Sequence, residues 1–479
     1  MNINKILPIK KEWLLFEAFI VWFAPGVEIF YKGVRALLCL YAQPQPVWWM
    51  VLCAMAVLVA FSFMFNGFLM RFIKSKRAPL MLIVLMGLLL AGCNTAEPYQ
   101  PKPGEDISIR GRVLSYEPIA EVSHDWVLKH VSDSIDRRWL RYGVRAYNMT
   151  YTTIFEGDPI VTNALVMEPI IDSTINPLPE REYALYTHGT IFPVAGISDM
   201  LAPTGFNWTN ASGGEEVLKC GLPIAASGRI TLMPDYIGVG KTSYCEYPFI
   251  YFPELCFAIL DGLQAFKQQM AVQDTMKLLI AGWSQGGGAA LSTQYYLQRD
   301  YPADYYVRST STLAGLFHFS DLTRYVLEDT TGIVPISMLS TWAMYCVNRF
   351  GVHRPNDMIF AYEVQDQMTA ILSVVGDVWS MFRPIFLKGI LDGTDTEWIN
   401  VAKGNDYYTG WTPTGKVFLH HGTRDMLVPY VNSLDAYEGL RAEGGDITLY
   451  SYEGSGHADR LFTFTNQTLL DWEKLDDAQ

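Results

Sequence analysis

The chain has 479 residues, half of them apolar, with 36 Lys and Arg against 49 Asp and Glu and a net charge of −13. That apolar fraction is enough to fill a large core and excludes global disorder. The first 92 residues carry nine Lys and Arg but three Asp and Glu, which leaves the remainder at −19. A body that acidic repels a phosphate backbone, so nucleic acid is excluded as a partner.

No charge occurs between Arg35 and Arg71, and within that gap Val47 to Met70 is apolar and long enough to span a bilayer. A basic stretch follows (Arg71, Lys74, Lys76, Arg77), then the apolar run Ala78 to Leu89, then Leu90, Ala91, Gly92 and Cys93. Basic, apolar and small residues in that order make a signal peptide. The pattern resembles the bacterial lipoprotein signal, whose Leu-Ala-Gly-Cys box is cut before the cysteine. The resemblance implies a lipid on Cys93 and a cell-envelope location. Asn94 stands where an Asp retains such proteins at the inner membrane, which points to the outer membrane. The expected organisation is an apolar upstream segment 1–69, a signal over 70–92, a Pro-rich tether over 93–105 and a catalytic body over 106–479. For residues 1–69 two readings compete: translation starting at Met70, or additional membrane helices. The first is favoured, because a secretory signal belongs at the N-terminus.

In the body, Val144–Thr153 and Ile160–Met167 flank Glu156-Gly157-Asp158-Pro159, a hairpin signal. Short apolar runs follow at Tyr183–Thr187, Ile230–Met233, Leu278–Ala281, Tyr306–Leu313, Val417–His420 and Ile447–Tyr452. Helical patterns lie between them, at Phe252–Met270, Gly286–Gln298 and Tyr430–Arg441. This alternation predicts a mostly parallel sheet with helices on both faces. Leu316 to Trp411 breaks the rhythm with a largely helical pattern rich in Trp, Met and Phe, and is expected to form an inserted cap.

Chemistry gathers at the strand ends. Leu278–Ala281 runs into Gly282-Trp283-Ser284-Gln285-Gly286, a G-x-S-x-G set between a strand and a helix. After the cap, Asp425 follows the strand Val417–His420. Thirty-two residues later, His457 sits in the Gly-rich loop Glu453-Gly454-Ser455-Gly456. A hydroxyl is a poor nucleophile until a positioned base takes its proton, and a third group must orient that base.

The order Ser, Asp, His with the elbow motif resembles the α/β-hydrolases over residues from about 140 to 475. The resemblance implies an α/β-hydrolase fold with a helical cap over 316–411. Ser284 would be the nucleophile, His457 the base and Asp425 its orienting acid, with no cofactor. By the same resemblance, the His188-Gly189-Thr190 turn supplies the second oxyanion segment. The donors would be the N–H of Gln285 and that of Thr190 or Gly189. Pro234-Asp235-Tyr236-Ile237-Gly238-Val239-Gly240 resembles a segment of secretory-lipase-like hydrolases. Tyr236, Trp283, Trp342 and Trp379 are the candidate substrate-lining residues, with Asp235 a turn-former.

Other residues read more simply. His420 and His421 shape the Asp425 turn, and Asp435 and Asp459 are rival acids within helical patterns. His124, His130, His318 and His353 lack metal-ligand spacing, so no metal is expected. Cys245–Cys256 is the nearest pair if a disulfide forms, and free thiols are as compatible with the sequence. Glu215-Glu216 reads as a solvated helix face. The expected function is cleavage of a carboxylic ester, of small-molecule, lipid or glycan origin, by an enzyme tethered to a membrane. The alternatives are a serine peptidase of the same fold and a non-catalytic binding lipoprotein; the oligomeric state is not legible. Mass spectrometry of the membrane form should show no residues before Cys93. A dominant tryptic peptide spanning Gly92 and Asn94 would overturn the anchor.

Overall fold

A computed structural model describes residues 97–102, 105–172, 180–192, 202–321, 334–372 and 378–477. The upstream segment, the signal peptide and Cys93 lie outside them, as does part of the tether. Among the described residues no helix is long and apolar enough to cross a membrane.

Nine strands form one sheet: β1 (Val113–Val122), β2 (Gly143–Phe155), β3 (Asp158–Ile170), β4 (Glu182–Thr187), β5 (Arg229–Pro234), β6 (Met276–Trp283), β7 (Tyr305–Leu313), β8 (Lys416–Gly422) and β9 (Ile447–Tyr452). Their order is β1-β2-β3-β5-β4-β6-β7-β8-β9. β1, β2 and β3 pair antiparallel, as do β3 and β5. Every pairing from β5 onward is parallel. The β2–β3 turn places Glu156 and Gly157 both at positive φ, 53° and 88°, the backbone of the tight hairpin turn that Gly favours.

The central strands are buried on both faces, which is why they read as continuous apolar runs rather than alternating ones. The period of two still sorts their side chains. Tyr183 and Leu185 of β4, with Leu278 and Ile280 of β6, join one core; Ala184 and Tyr186, with Leu279 and Ala281, join the other. The first core is covered by α3 (Phe252–Gln269) and α4 (Gln285–Asp300) through Leu255, Ile259, Phe266 and Leu291. The second is covered by α1 (His124–His130), α2 (Leu222–Ala226) and α11 (Leu461–Asp477). These contribute Val127, Ile224 and Trp472. A π-helical turn, Val217–Gly221, leads directly into α2.

The insertion between β7 and β8 carries α5 (Val334–Val347), α6 (Gln367–Leu372), α7 (Val378–Met381), α8 (Pro384–Leu391) and α9 (Thr396–Lys403). Its aromatic residues pack largely on one another. Phe360, Phe382, Phe386 and Trp398 form a chain with ring centroids 4.7–5.8 Å apart. Polar anchors join the insertion to the body. Asn405 donates to the Ile250 carbonyl (2.7 Å) and accepts from the Phe252 N–H (3.0 Å), both fully buried bonds. α10 (Val431–Ala442) then returns the chain to β9.

At the far end of the sheet, two arginines with nearly buried side chains share two acids. Arg229 pairs with Glu182 and Asp476 at 3.1 and 2.9 Å, and Arg308 with the same two at 2.9 and 2.6 Å. Asp476 belongs to α11, so this lattice fastens that helix to β4, β5 and β7.

The elbow between β6 and α4 is the tightest point of the fold. A Cβ on Gly286 would fall inside the Thr187 carbonyl oxygen, and 2.5 Å from that of His188. One on Gly288 would strike the Phe252 ring and lie 2.6 Å from the Leu316 carbonyl oxygen. Gly157, by contrast, has open space around its missing Cβ. Gly286→Ala should therefore destabilise the fold by roughly 3 kcal/mol or more, whereas Gly157→Ala should cost only about 1 kcal/mol through its positive φ. Urea midpoints followed by circular dichroism would check the contrast, and equal losses would contradict it.

Candidate active site

Four strand ends converge at one edge of the parallel region. β4 delivers His188-Gly189-Thr190, β6 delivers Ser284, the turn after β8 delivers Asp425 and the loop after β9 delivers His457. Adjacent parallel strands all end on the same side of a sheet, so residues distant in sequence meet there.

Ser284 has φ 59° and ψ −125°, a region that a residue with a Cβ rarely occupies without support. The support is visible. Its N–H donates to Leu313 (2.8 Å), and its carbonyl accepts from Gly287 (2.9 Å) and Gly288 (3.2 Å). Gln285 opens α4, so its N–H lies among the first-turn donors that have no acceptor within a helix.

Nε2 of His457 is 2.7 Å from Oγ of Ser284, and its Nδ1 is 2.6 Å from Oδ2 of Asp425. A carboxylate oxygen only accepts, so Nδ1 carries the proton and Nε2 is free to accept from the serine hydroxyl. The Asp425 side chain is fully buried. Its Oδ1 accepts from the N–H groups of Leu427 (2.8 Å) and Val428 (3.0 Å). Nε2 of His421 lies 3.2 Å from its Oδ2, while His421 Nδ1 meets Ser433 at 2.7 Å. Burial alone would push the Asp425 carboxyl up. Hydrogen bonds from His421, His457 and Val428, with the charge of His457, outweigh it and hold the carboxyl well below the usual range. His421 thus shapes the turn as expected, with a direct contact to the acid. His420 is also buried, bonded to Tyr452 (2.8 Å) and pushed down to about 3 by desolvation.

The rival acids are engaged elsewhere. Asp459 accepts from the Gly456 N–H (2.7 Å), and Asp435 lies 2.7 Å from Nδ1 of His318. Among the described residues, His318, Asp321 and Asp435 are the one group whose ligand atoms gather within 4.8 Å, as a metal would need. None of the three bonds to Ser284, His457 or Asp425. The four described cysteines, Cys220, Cys245, Cys256 and Cys346, are free, so Cys245 and Cys256 are not bridged.

Five expectations are corrected. Gly189 is not an open oxyanion donor, because its N–H is taken by the Glu216 carboxylate at 2.9 and 3.1 Å. Glu216 is correspondingly not on a solvated face: its Oε2 also accepts from the Tyr186 hydroxyl (2.7 Å), and burial pushes its carboxyl up to about 7. Tyr236 does not line an open site. It is fully buried beneath the loop, stacked on His188 at 3.8 Å, with its hydroxyl donating to the His188 carbonyl (2.9 Å). Trp342 is fully buried against Phe249 (3.9 Å), whereas Trp379 is exposed on α7 without a bond to the relay. Trp283 donates from Nε1 to the His457 carbonyl (3.1 Å). Asp235 is the turn-former expected, buried and bonded to the Thr204 N–H (3.2 Å) and hydroxyl. Glu216 is thus a residue of the site and not of the surface. No sequence pattern separates Glu216 from Glu215, because the inward turn of Glu216 accompanies the change of helix pitch that follows it.

No protein-family model matches the chain, and no curated protein matches it. Solved structures do. A Legionella pneumophila protein described as a hydrolase is similar at TM-score 0.62 and 20% identity, over 76% of this chain and 98% of that one. The rice cell wall degrading esterase LipA from Xanthomonas oryzae is similar at TM-score 0.62 and 17% identity, over 78% and 100%. Candida antarctica lipase A in its closed state is similar at TM-score 0.55 and 16% identity, over 77% and 83%. The chain has an α/β-hydrolase fold with a helical insertion between β7 and β8. At these identities the likeness defines the fold, and the chemistry must be argued from the site.

Burial holds His188 neutral, lowering it to about 4, against an ordinary value of about 6.5. Between those values the unfolded chain binds a proton that the folded chain does not. The contribution from neutral His188 is therefore intact above pH 6.5 and is lost as pH falls towards 4. Wild type should lose about 2 kcal/mol more than His188→Asn between pH 7 and pH 5, read from urea midpoints. Parallel losses would show that His188 is not held neutral.

Proposed function

We propose that this chain is a serine hydrolase that cleaves carboxylic esters through an acyl-enzyme, with Ser284, His457 and Asp425 as its triad. The observation that carries the reading is the unbroken relay from Asp425 through His457 to Ser284, at 2.6 and 2.7 Å, ending on a serine in a left-handed backbone. Each group has the role that its bonds permit. His457 Nε2 takes the Ser284 proton as Oγ attacks the ester carbonyl. Asp425, ionised throughout, fixes the ring with Nδ1 protonated and stabilises the imidazolium that forms. The developing oxyanion is received by the N–H groups of Gln285 and Thr190, each worth roughly 3 kcal/mol. His457 then protonates the leaving alcohol, and water repeats the sequence on the acyl-serine.

The structural neighbours named as an esterase and a lipase support an ester substrate over an amide one. A peptidase trimming chain ends would want a carboxylate clamp for the substrate amine, and the Glu215-Glu216 pair is divided. Glu215 is exposed and pairs with Lys219 (2.8 Å), while Glu216 turns inward to Gly189. The lipid anchor on Cys93 and an outer-membrane location are proposed on the signal pattern alone.

A fluorophosphonate probe should label Ser284. Ser284→Ala, His457→Ala and Asp425→Asn should each lower kcat on a chromogenic butyrate ester by roughly 10⁴-fold or more. The Ser284/His457 double variant should be scarcely worse than either single one, because the two side chains serve one proton transfer. Near-wild-type turnover by Ser284→Ala would overturn the reading.

A further inference from the structure

The loop after β4 is held by three bonds, and together they select which of its N–H groups can face the nucleophile. In a trans peptide the C=O and the N–H point in opposite directions. The His188–Gly189 peptide is used on both sides: its carbonyl accepts from Tyr236 (2.9 Å), and its N–H donates to both oxygens of Glu216. In the next peptide, the Gly189 carbonyl is 2.8 Å from Nδ1 of His188. A carbonyl only accepts, so that nitrogen carries the proton of a neutral ring. The remaining group, the Thr190 N–H, must point away from the His188 ring.

The place of Glu216 in this arrangement is constrained from several directions. Its Oε2 is bound by Tyr186 of β4. The missing Cβ of Gly189 eases the approach of the carboxylate, since it would lie 3.1 Å from both Glu216 Oε1 and Cε3 of Trp283. The π-helical turn begins immediately after Glu216, so the helix changes pitch where the side chain turns inward.

We infer that Glu216 is a positioning residue for the oxyanion hole: its carboxylate clamps the Gly189 N–H and thereby commits the Thr190 N–H, rather than that of Gly189, to the oxyanion. Glu216 touches no reacting atom. It acts through the peptide that it holds, and the inference rests on the ester-hydrolase reading above. A clamp of this kind affects the transition state, where the oxyanion exists, more than the bound ester. Its loss therefore lowers kcat and leaves KM nearly unchanged.

Steady-state hydrolysis of p-nitrophenyl butyrate by the full chain tests it. Glu216→Ala should lower kcat by roughly 10- to 100-fold, less than deletion of a donor outright, with KM within about threefold of wild type. Glu216→Gln keeps the reach and an oxygen that accepts the Gly189 N–H, and should recover most of kcat. Glu216→Asp keeps the charge but is one methylene short, and should not. The reverse order for Gln and Asp would show that charge matters and position does not, overturning the clamp. Wild-type kcat in every folded variant, or a loss carried by KM, would overturn it too. If Glu216→Ala does not fold, the Gln and Asp pair decides alone. A wild-type chain that neither hydrolyses the ester nor takes a fluorophosphonate at Ser284 overturns the parent reading and the clamp with it. An active wild type with unchanged Glu216 variants overturns the clamp alone.

Discussion

The contact of the Gly286 Cα with the Thr187 and His188 carbonyls sets the geometry of everything around it. Because no side chain intervenes, α4 starts in van der Waals contact with the end of β4. Ser284 and Gln285 are thereby held at a fixed distance from the loop that follows β4. A nucleophile and an oxyanion hole built on different strands must keep their separation to within about 0.5 Å to be useful. For the proposed nucleophile and oxyanion donors, that separation is set by a hard contact between two backbones. The positive φ of Ser284 is the other half of the same arrangement, since it turns the chain sharply enough for Gly286 to reach Thr187.

Asp425 and His457 are tied less rigidly, through polar bonds between two loops. Arg424 N–H donates to the Ser455 carbonyl (3.0 Å), and the Gly454 N–H donates to the Thr423 hydroxyl (2.9 Å). These fix the Asp425 turn against the His457 loop before either side chain is considered. Trp283, the residue before Ser284, then bonds the His457 carbonyl. The relay is thus closed by three independent attachments, and any preorganisation of the proposed proton transfer resides in them. Low exposure strengthens each of these bonds and makes an unsatisfied one expensive.

Much of this was legible in the residues. The central strands announced themselves because burial on both faces makes an apolar run with turns at either end, and the elbow glycines have few other uses in such a context. Ser284, Asp425 and His457 fall at strand ends in an order that leaves few rivals. β1 was not legible. It is an edge strand with alternating polar residues, a Pro118 beside a register shift and mostly partial exposure, so no periodicity stands out. The cap aromatics were legible as apolar but not as to partner. Trp342 and Trp398 have the same composition signal, yet one packs on Phe249 of the body and the other on Phe386 of the insertion. The Glu216–Gly189 bond spans 27 residues and depends on a local change of helix pitch. Neither feature has a sequence pattern, which is why a glutamate pair looked like a wet surface.

The Arg229–Glu182–Arg308–Asp476 lattice bears on how such a chain is made. Arg229 and Asp476 are 247 residues apart, so synthesis delivers the two cations and Glu182 well before the second acid. Until α11 arrives, the second acid is missing and this edge stays hydrated, because drying two guanidiniums without it is costly. Closure of this end of the sheet is therefore coupled to docking of a distant helix. Slow closure of that kind is the expected behaviour of a topology dominated by long-range pairings.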